Sequence, residues 1–114
     1  MEDCIFCGII KGDIPSSKVY EDDKVLAFHD ISPAAPVHVI VVPKRHIPTL
    51  MDVAAADMED LNAMMTAAQQ IARIEGIEQR GFRTVINCNK DGGQIVFHLH
   101  MHVLGGKKLE EKLG

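Results

Sequence analysis

The sequence predicts an α+β fold: a five-stranded antiparallel sheet, one long helix and a short N-terminal helix. Five alternating or β-branched segments are punctuated by Gly and Pro. A single apolar repeat at three- and four-residue spacing runs from residue 55 to 75. This helix is inserted between runs of strands rather than alternating with them, which favours antiparallel pairing over parallel βαβ units.

Residues Ile5 to Ile10 form a short helical turn ended by Gly12, and Ile14-Pro15 then imposes extended backbone before a strand at Lys18-Val19-Tyr20-Glu21. Asp22-Asp23 is a tight turn into a second strand, Val25 to His29, so the two make a hairpin. Pro33 and Pro36 break the pattern. His38 to Val42 is a β-branched run closed by Pro43, and its near-continuous apolarity marks a central strand covered on both faces. In the long helix, Met58, Leu61, Met64 or Met65, Ala68, Ile71 and Ile74 form the apolar stripe, which ends near Gly76. Phe82 to Asn87 and Phe97 to Leu104 alternate as strands. The loop Asn89-Lys90-Asp91-Gly92-Gly93 separates them, and Gly105-Gly106 closes the second. Residues 107–114 are polar and expected to fray. No internal repeat is present, and residues 1–114 read as one domain.

A chain of 114 residues with 46% hydrophobic and 25% charged content is that of an ordinary soluble protein with one core. A net charge of −4 with scattered basic residues gives no field for a nucleic-acid backbone. Any phosphate must therefore be held locally, by backbone N–H groups and histidines. The start, MEDCIFCGIIKGD, has acids where an export signal has bases, and no apolar stretch approaches the roughly 20 residues that span a bilayer. A cytoplasmic protein without membrane contact is expected. Three cysteines make an odd number, so reduced thiols are expected instead of a disulfide framework.

His98-Leu99-His100-Met101-His102 sets three imidazoles two residues apart, a spacing that puts them on one face of a strand with Leu99, Met101 and Val103 in the core behind. One histidine alone is ordinarily a hydrogen-bonded, half-buried side chain. Three together incur desolvation and mutual repulsion, which points to a use, either metal binding or phosphoryl-type chemistry. Asp91-Gly92-Gly93-Gln94 just upstream offers close backbone approach to an anion and favours the second. Neutral imidazole is a competent nucleophile at phosphorus, and the middle position, His100, is the one both neighbours can assist.

The run His98 to Leu104 resembles the signature of the histidine triad family. Residues 27–33, 35–38, 42–47 and 91–94 resemble its Hint branch in order and spacing. The resemblance implies an α+β protomer that dimerises through its long helix and a sheet edge into a ten-stranded sheet. It also implies hydrolysis of purine nucleoside phosphoramidates through a nucleotidyl-histidine intermediate, without a cofactor for the chemistry. On this resemblance His100 is the nucleophile, and His102 contacts phosphate with Asn87 and the Gly93-Gln94 backbone. His38 lies behind His100 and assists proton placement, and His98 completes the catalytic set. Asp30 accepts from the ribose hydroxyls, while Phe28 and Ile31 hold the base with Ile5, Phe6 and Ile14. Taken alone, Phe28 and Ile31 are ordinary core residues and Asp30 is equally a turn cap. His29 and Ile95 also fall at the nucleotide site, Ile95 where many relatives offer a small hydroxyl. The C-terminus lacks the aromatic end of the eukaryotic proteins. Two other functions compete: a dinucleoside polyphosphate hydrolase with the same site, and a nucleotide-binding scaffold with little turnover.

Cys4 and Cys7 have the C-x-x-C spacing that lets two thiolates reach one ion, and redox use or two incidental thiols are the alternatives. His46 and His98 are the leading candidates for two further ligands. Such a structural zinc would tie the N-terminal segment to the sheet, as in similar bacterial relatives.

Overall fold

The computed structural model describes residues 4–113. Helix α1 (Ile5–Lys11) is the first element among the described residues, with Gly12 in the left-handed conformation at its end (φ 87°). Strands β1 (Lys18–Glu21) and β2 (Val25–His29) form the expected hairpin, in which the Asp22 carboxylate accepts from the N–H groups of Lys24 and Val25. Strand β3 (Val37–Pro43) is followed by two short 3₁₀ turns, Leu50–Asp52 and Ala55–Asp57, and by helix α2 (Met58–Ile74). Strands β4 (Arg83–Val85) and β5 (Met101–Gly105) complete an antiparallel sheet of order β1-β2-β3-β5-β4. The expected α+β architecture is thus present, with β3 at its centre. Among the described residues no helix is long and apolar enough to cross a membrane.

Strand alternation gives the sheet two different faces. Val25, Ala27, Val39, Val41, Met101 and Val103 point to α2 and meet Met64, Ala67, Ala68 and Ile71 in the larger core. Leu26, Phe28, Ile40 and Val42 point the other way and pack with Phe6 and Ile9 of α1. α2 buries a narrower stripe than expected. Met64 is the core methionine of the Met64/Met65 pair, while Met58, Met65 and Ile74 stay about half exposed.

Both late strands are shorter than their alternation suggests. Continuing the β3–β5 ladder past Val41↔Met101 would bring Pro43 opposite Leu99, and proline has no N–H to give. Leu99 donates instead to the Ile47 carbonyl at 2.7 Å, so the chain leaves the sheet before Met101. With β5 starting there, only Arg83 to Val85 of the expected 82–87 strand find partners.

Candidate active site

The face of the sheet away from α2 carries a cavity of about 370 Å³, within the usual range for small-ligand sites. Ile5, Phe6, Ile9 and Ile14 form one wall, Phe28 and Ile40 lie on the sheet, and His100 and His102 stand at one end. His29, Asp30 and Ile31 border it from the end of β2, and Asn87, Gly93 and Ile95 border it from the loops before β5. Ile31 and Ile95 lie on the rim, 98% and 88% exposed. Ile9, Pro15, Ser16, Ile40 and Val96 also line it and were not singled out from sequence. Ile9 and Ile40 look like plain core residues in one dimension, so no signal distinguished them.

The hydrogen bonds fix how the histidines carry their protons. His100 Nδ1 lies 2.8 Å from the His98 carbonyl, which can only accept, so Nδ1 holds the proton and Nε2 keeps a free lone pair. His38 has the opposite arrangement. Its Nδ1 accepts from the Ala34 N–H at 3.0 Å, so its proton is on Nε2, which donates to His102 Nδ1 at 2.9 Å. His102 must then carry its proton on Nε2. A lone pair on His100 and an N–H on His102 therefore stand side by side, with ring centroids 5.1 Å apart. Asp30 Oδ2 lies 3.4 Å from His38 Nε2, while Asp30 Oδ1 accepts from the Ser32 N–H at 2.7 Å. Asp30 is thus a turn cap and a cavity residue together. Asp30, His38 and His102 sit close enough to suggest a metal. However, coordination through His38 Nε2 would displace the proton that the Ala34 N–H holds there, so this trio is not a cation site.

Burial keeps the pair neutral. It lowers the His100 pKa, and burial together with the nearby His100 and His38 brings His102 down to about 4. Both imidazoles are therefore uncharged near neutral pH.

Three expectations about the site need correction. His38 lies behind His102, not His100: it pairs with Leu104 across the β3–β5 ladder, which makes His102 its diagonal neighbour. His98 is fully buried and does not line the cavity, because the chain bends there on leaving the sheet. Gln94 also stays out of it. Its amide donates to the Pro48 and Val96 carbonyls at 2.8 and 3.0 Å and its oxygen accepts from the Asn89 N–H, so it braces the loop. The Gly93 and Gln94 N–H groups are likewise turned into that loop, toward the carbonyls of Lys90 and Asn89.

A second cluster lies behind the cavity. Cys4 Sγ and Cys7 Sγ lie 3.3 and 3.6 Å from His98 Nδ1, and Cys7 Sγ lies 3.3 Å from His46 Nδ1. All four donor atoms fall within 4.8 Å of one another. Tetrahedral Zn–S and Zn–N bonds would put donor atoms about 3.3–3.8 Å apart, so the set fits one ion. His98 is in ligand form: Nε2–H donates to the Pro43 carbonyl at 2.8 Å, leaving the Nδ1 lone pair toward the thiols. Burial, with His46 and His100 nearby, brings its pKa to about 4. Burial also pushes the Cys7 thiol up, a penalty that a bound cation would offset.

The sequence and the fold that carry this site match a known family. The HIT domain model matches residues 11–109, and the chain belongs to that family. It is 50% identical over 108 residues to the purine nucleoside phosphoramidase of Escherichia coli K12, covering 95% of this chain and 91% of the relative. A histidine triad protein of Clostridium difficile superposes with a TM-score of 0.96 at 50% identity, with coverage of 99% and 98%. A HIT family hydrolase of Legionella pneumophila gives 0.95 at 44% identity, with coverage of 98% and 100%.

Proposed function

We propose that this protein hydrolyses purine nucleoside phosphoramidates through a nucleotidyl-histidine intermediate on His100. The observation that carries this reading is the pair of opposite tautomers, an Nε2 lone pair on His100 beside an Nε2–H on His102, at the end of an apolar cavity. His100 Nε2 attacks the α-phosphorus and the substrate P–N bond breaks, the departing amine taking up one proton from solvent. Water then cleaves the P–N bond to His100 and returns that proton, leaving the nucleoside monophosphate. Throughout, the His98 carbonyl holds His100 Nδ1–H, and this bond strengthens as the ring becomes cationic. His102 donates Nε2–H to a phosphoryl oxygen, oriented by His38. Asn87 and the 92–95 loop border the phosphate, Asp30 takes the ribose hydroxyls, and Phe28, Phe6 and Ile5 hold the base. No cofactor takes part.

Comparing substrates tests this. Adenosine 5′-phosphoramidate should exceed diadenosine polyphosphates in kcat/KM by about a hundredfold. A reversed preference would assign the chain to polyphosphate hydrolysis, and no turnover of either would make it a binding scaffold.

The Cys4–Cys7–His46–His98 set is read as a structural zinc site, and its free thiols suit the reducing cytoplasm. Protein purified under reducing, chelator-free conditions should carry about one zinc per chain, and Cys4→Ser with Cys7→Ser should lower Tm by about 10 °C. Zinc-free protein that also takes up none when it is supplied overturns this.

The chain is further read as a homodimer. β4 offers a sheet edge, and Met58, Met65 and Ile74 on α2, with Phe82 beside β4, leave apolar surface exposed. Light scattering at micromolar concentration should give twice the chain mass, and a monomer would exclude it. Neither nucleic acid nor membrane is among its expected partners.

A further inference from the structure

We propose that the Cys4–Cys7–His46–His98 cluster sets the nucleotide affinity of the cavity, Cys4 and Cys7 acting as positioning residues through α1. The proposal rests on metal binding at that cluster. α1 has seven residues, too few to hold a helix by their own hydrogen bonds. Its place is fixed from outside, by Phe6 and Ile9 in the smaller apolar cluster and by the two thiols at its start. The same short helix is a wall of the cavity, contributing Ile5, Phe6 and Ile9.

Phe6 joins the two sites. It sits between the ligand cysteines in the chain, and its ring lies edge-on to His100 at 5.1 Å, to Phe28 at 5.7 Å and to His98 at 5.9 Å. A cation bound by both thiols and both imidazoles locks that turn against β3 and the β5 approach. Without it, the Cys4 thiol still caps α1 by accepting from the Cys7 N–H at 3.3 Å, but the thiols reach His46 and His98 only through long contacts to imidazole nitrogen at 3.3–3.6 Å, and sulfur is a weak donor. The Phe6 wall is then less well ordered, and ordering it has to be repeated each time a nucleotide binds.

The chemistry at His100 is insulated from this. The carbonyl that fixes its tautomer belongs to His98, and His98 remains anchored to Pro43 through Nε2 whether or not Nδ1 holds a cation. Loss of the cation should therefore act on binding and leave kcat nearly untouched.

The full chain is tested in four forms: wild type with one equivalent of Zn²⁺, wild type stripped by chelator, Cys4→Ser/Cys7→Ser, and His46→Gln, a position outside the cavity lining. Bound zinc is measured in each, adenosine 5′-monophosphate affinity by calorimetry, and kcat and KM with adenosine 5′-phosphoramidate. In the three metal-depleted forms Kd and KM should rise about tenfold while kcat changes by less than about threefold, and zinc should restore only the stripped wild type. Equal Kd with zinc shown present and absent overturns the inference and leaves the metal site standing, as does a loss confined to kcat. Wild type that takes up no zinc overturns the metal site, and this inference with it. If the double variant does not fold, the stripped wild type and His46→Gln decide the same question.

Discussion

His100→Ala and His100→Asn should each lower kcat for adenosine 5′-phosphoramidate by about four orders of magnitude, roughly 5 kcal/mol of transition-state stabilisation. The size follows from the covalent route. Every other group in the site can place or polarise the phosphate, but only His100 offers a lone pair beside a proton donor. Affinity for adenosine 5′-monophosphate should stay within about threefold, because the apolar walls and the Asp30 carboxylate are untouched. Rapid quench with nucleotide-labelled substrate should trap a protein-bound nucleotide in the wild type and none in either variant. Retention of more than about 1% of wild-type kcat would remove His100 from the nucleophile's role.

What the sequence made legible follows from local rules. β1, β2 and the end of α1 lie where turn chemistry and hydrophobic alternation put them, because Asp22, Gly12 and the β-branched runs act over a few residues. The alternation of Leu99, Met101 and Val103 into the larger core was equally legible, since it needs only a period of two. Less local facts were not. That His98 serves the cysteine cluster and not the cavity depends on Pro43 ending the ladder and on the Ile47 carbonyl capturing Leu99 N–H, both more than 50 residues away in the chain. His38 reaching His102 instead of His100 is a matter of register between β3 and β5, which composition does not encode. Gln94 was misplaced because a Gly-Gly-Gln loop suggests an anion cradle, whereas its amide is consumed by Pro48 and Val96. The cysteine pair and its two histidines came together as the resemblance implied, from three separate parts of the chain.

Gly92→Ala should be the most damaging change outside the histidines. A Cβ at Gly92 would meet the Cys88 backbone, 2.9 Å from its N and 3.1 Å from its carbonyl carbon, with its carbonyl oxygen nearer still. Contacts under 3.0 Å require something to move, and here it is backbone, not the end of a flexible side chain. The Gly92 carbonyl also accepts from Asn87 Nδ2 at 2.7 Å, so moving residue 92 displaces Asn87 from the cavity border and strains the Gly93 turn, whose φ is 81°. A stability loss of about 2–3 kcal/mol and a fall in kcat/KM of about a hundredfold are expected. Gly81→Ala separates backbone strain from site damage. Gly81 has a φ of 102° with nothing near its Cβ position, so alanine there should cost about 1 kcal/mol and leave kcat/KM within about twofold. Denaturant melts and steady-state kinetics on both variants check this. Gly92→Ala with near wild-type kcat/KM would show that the 88–95 loop tolerates displacement and does not set the phosphate's position.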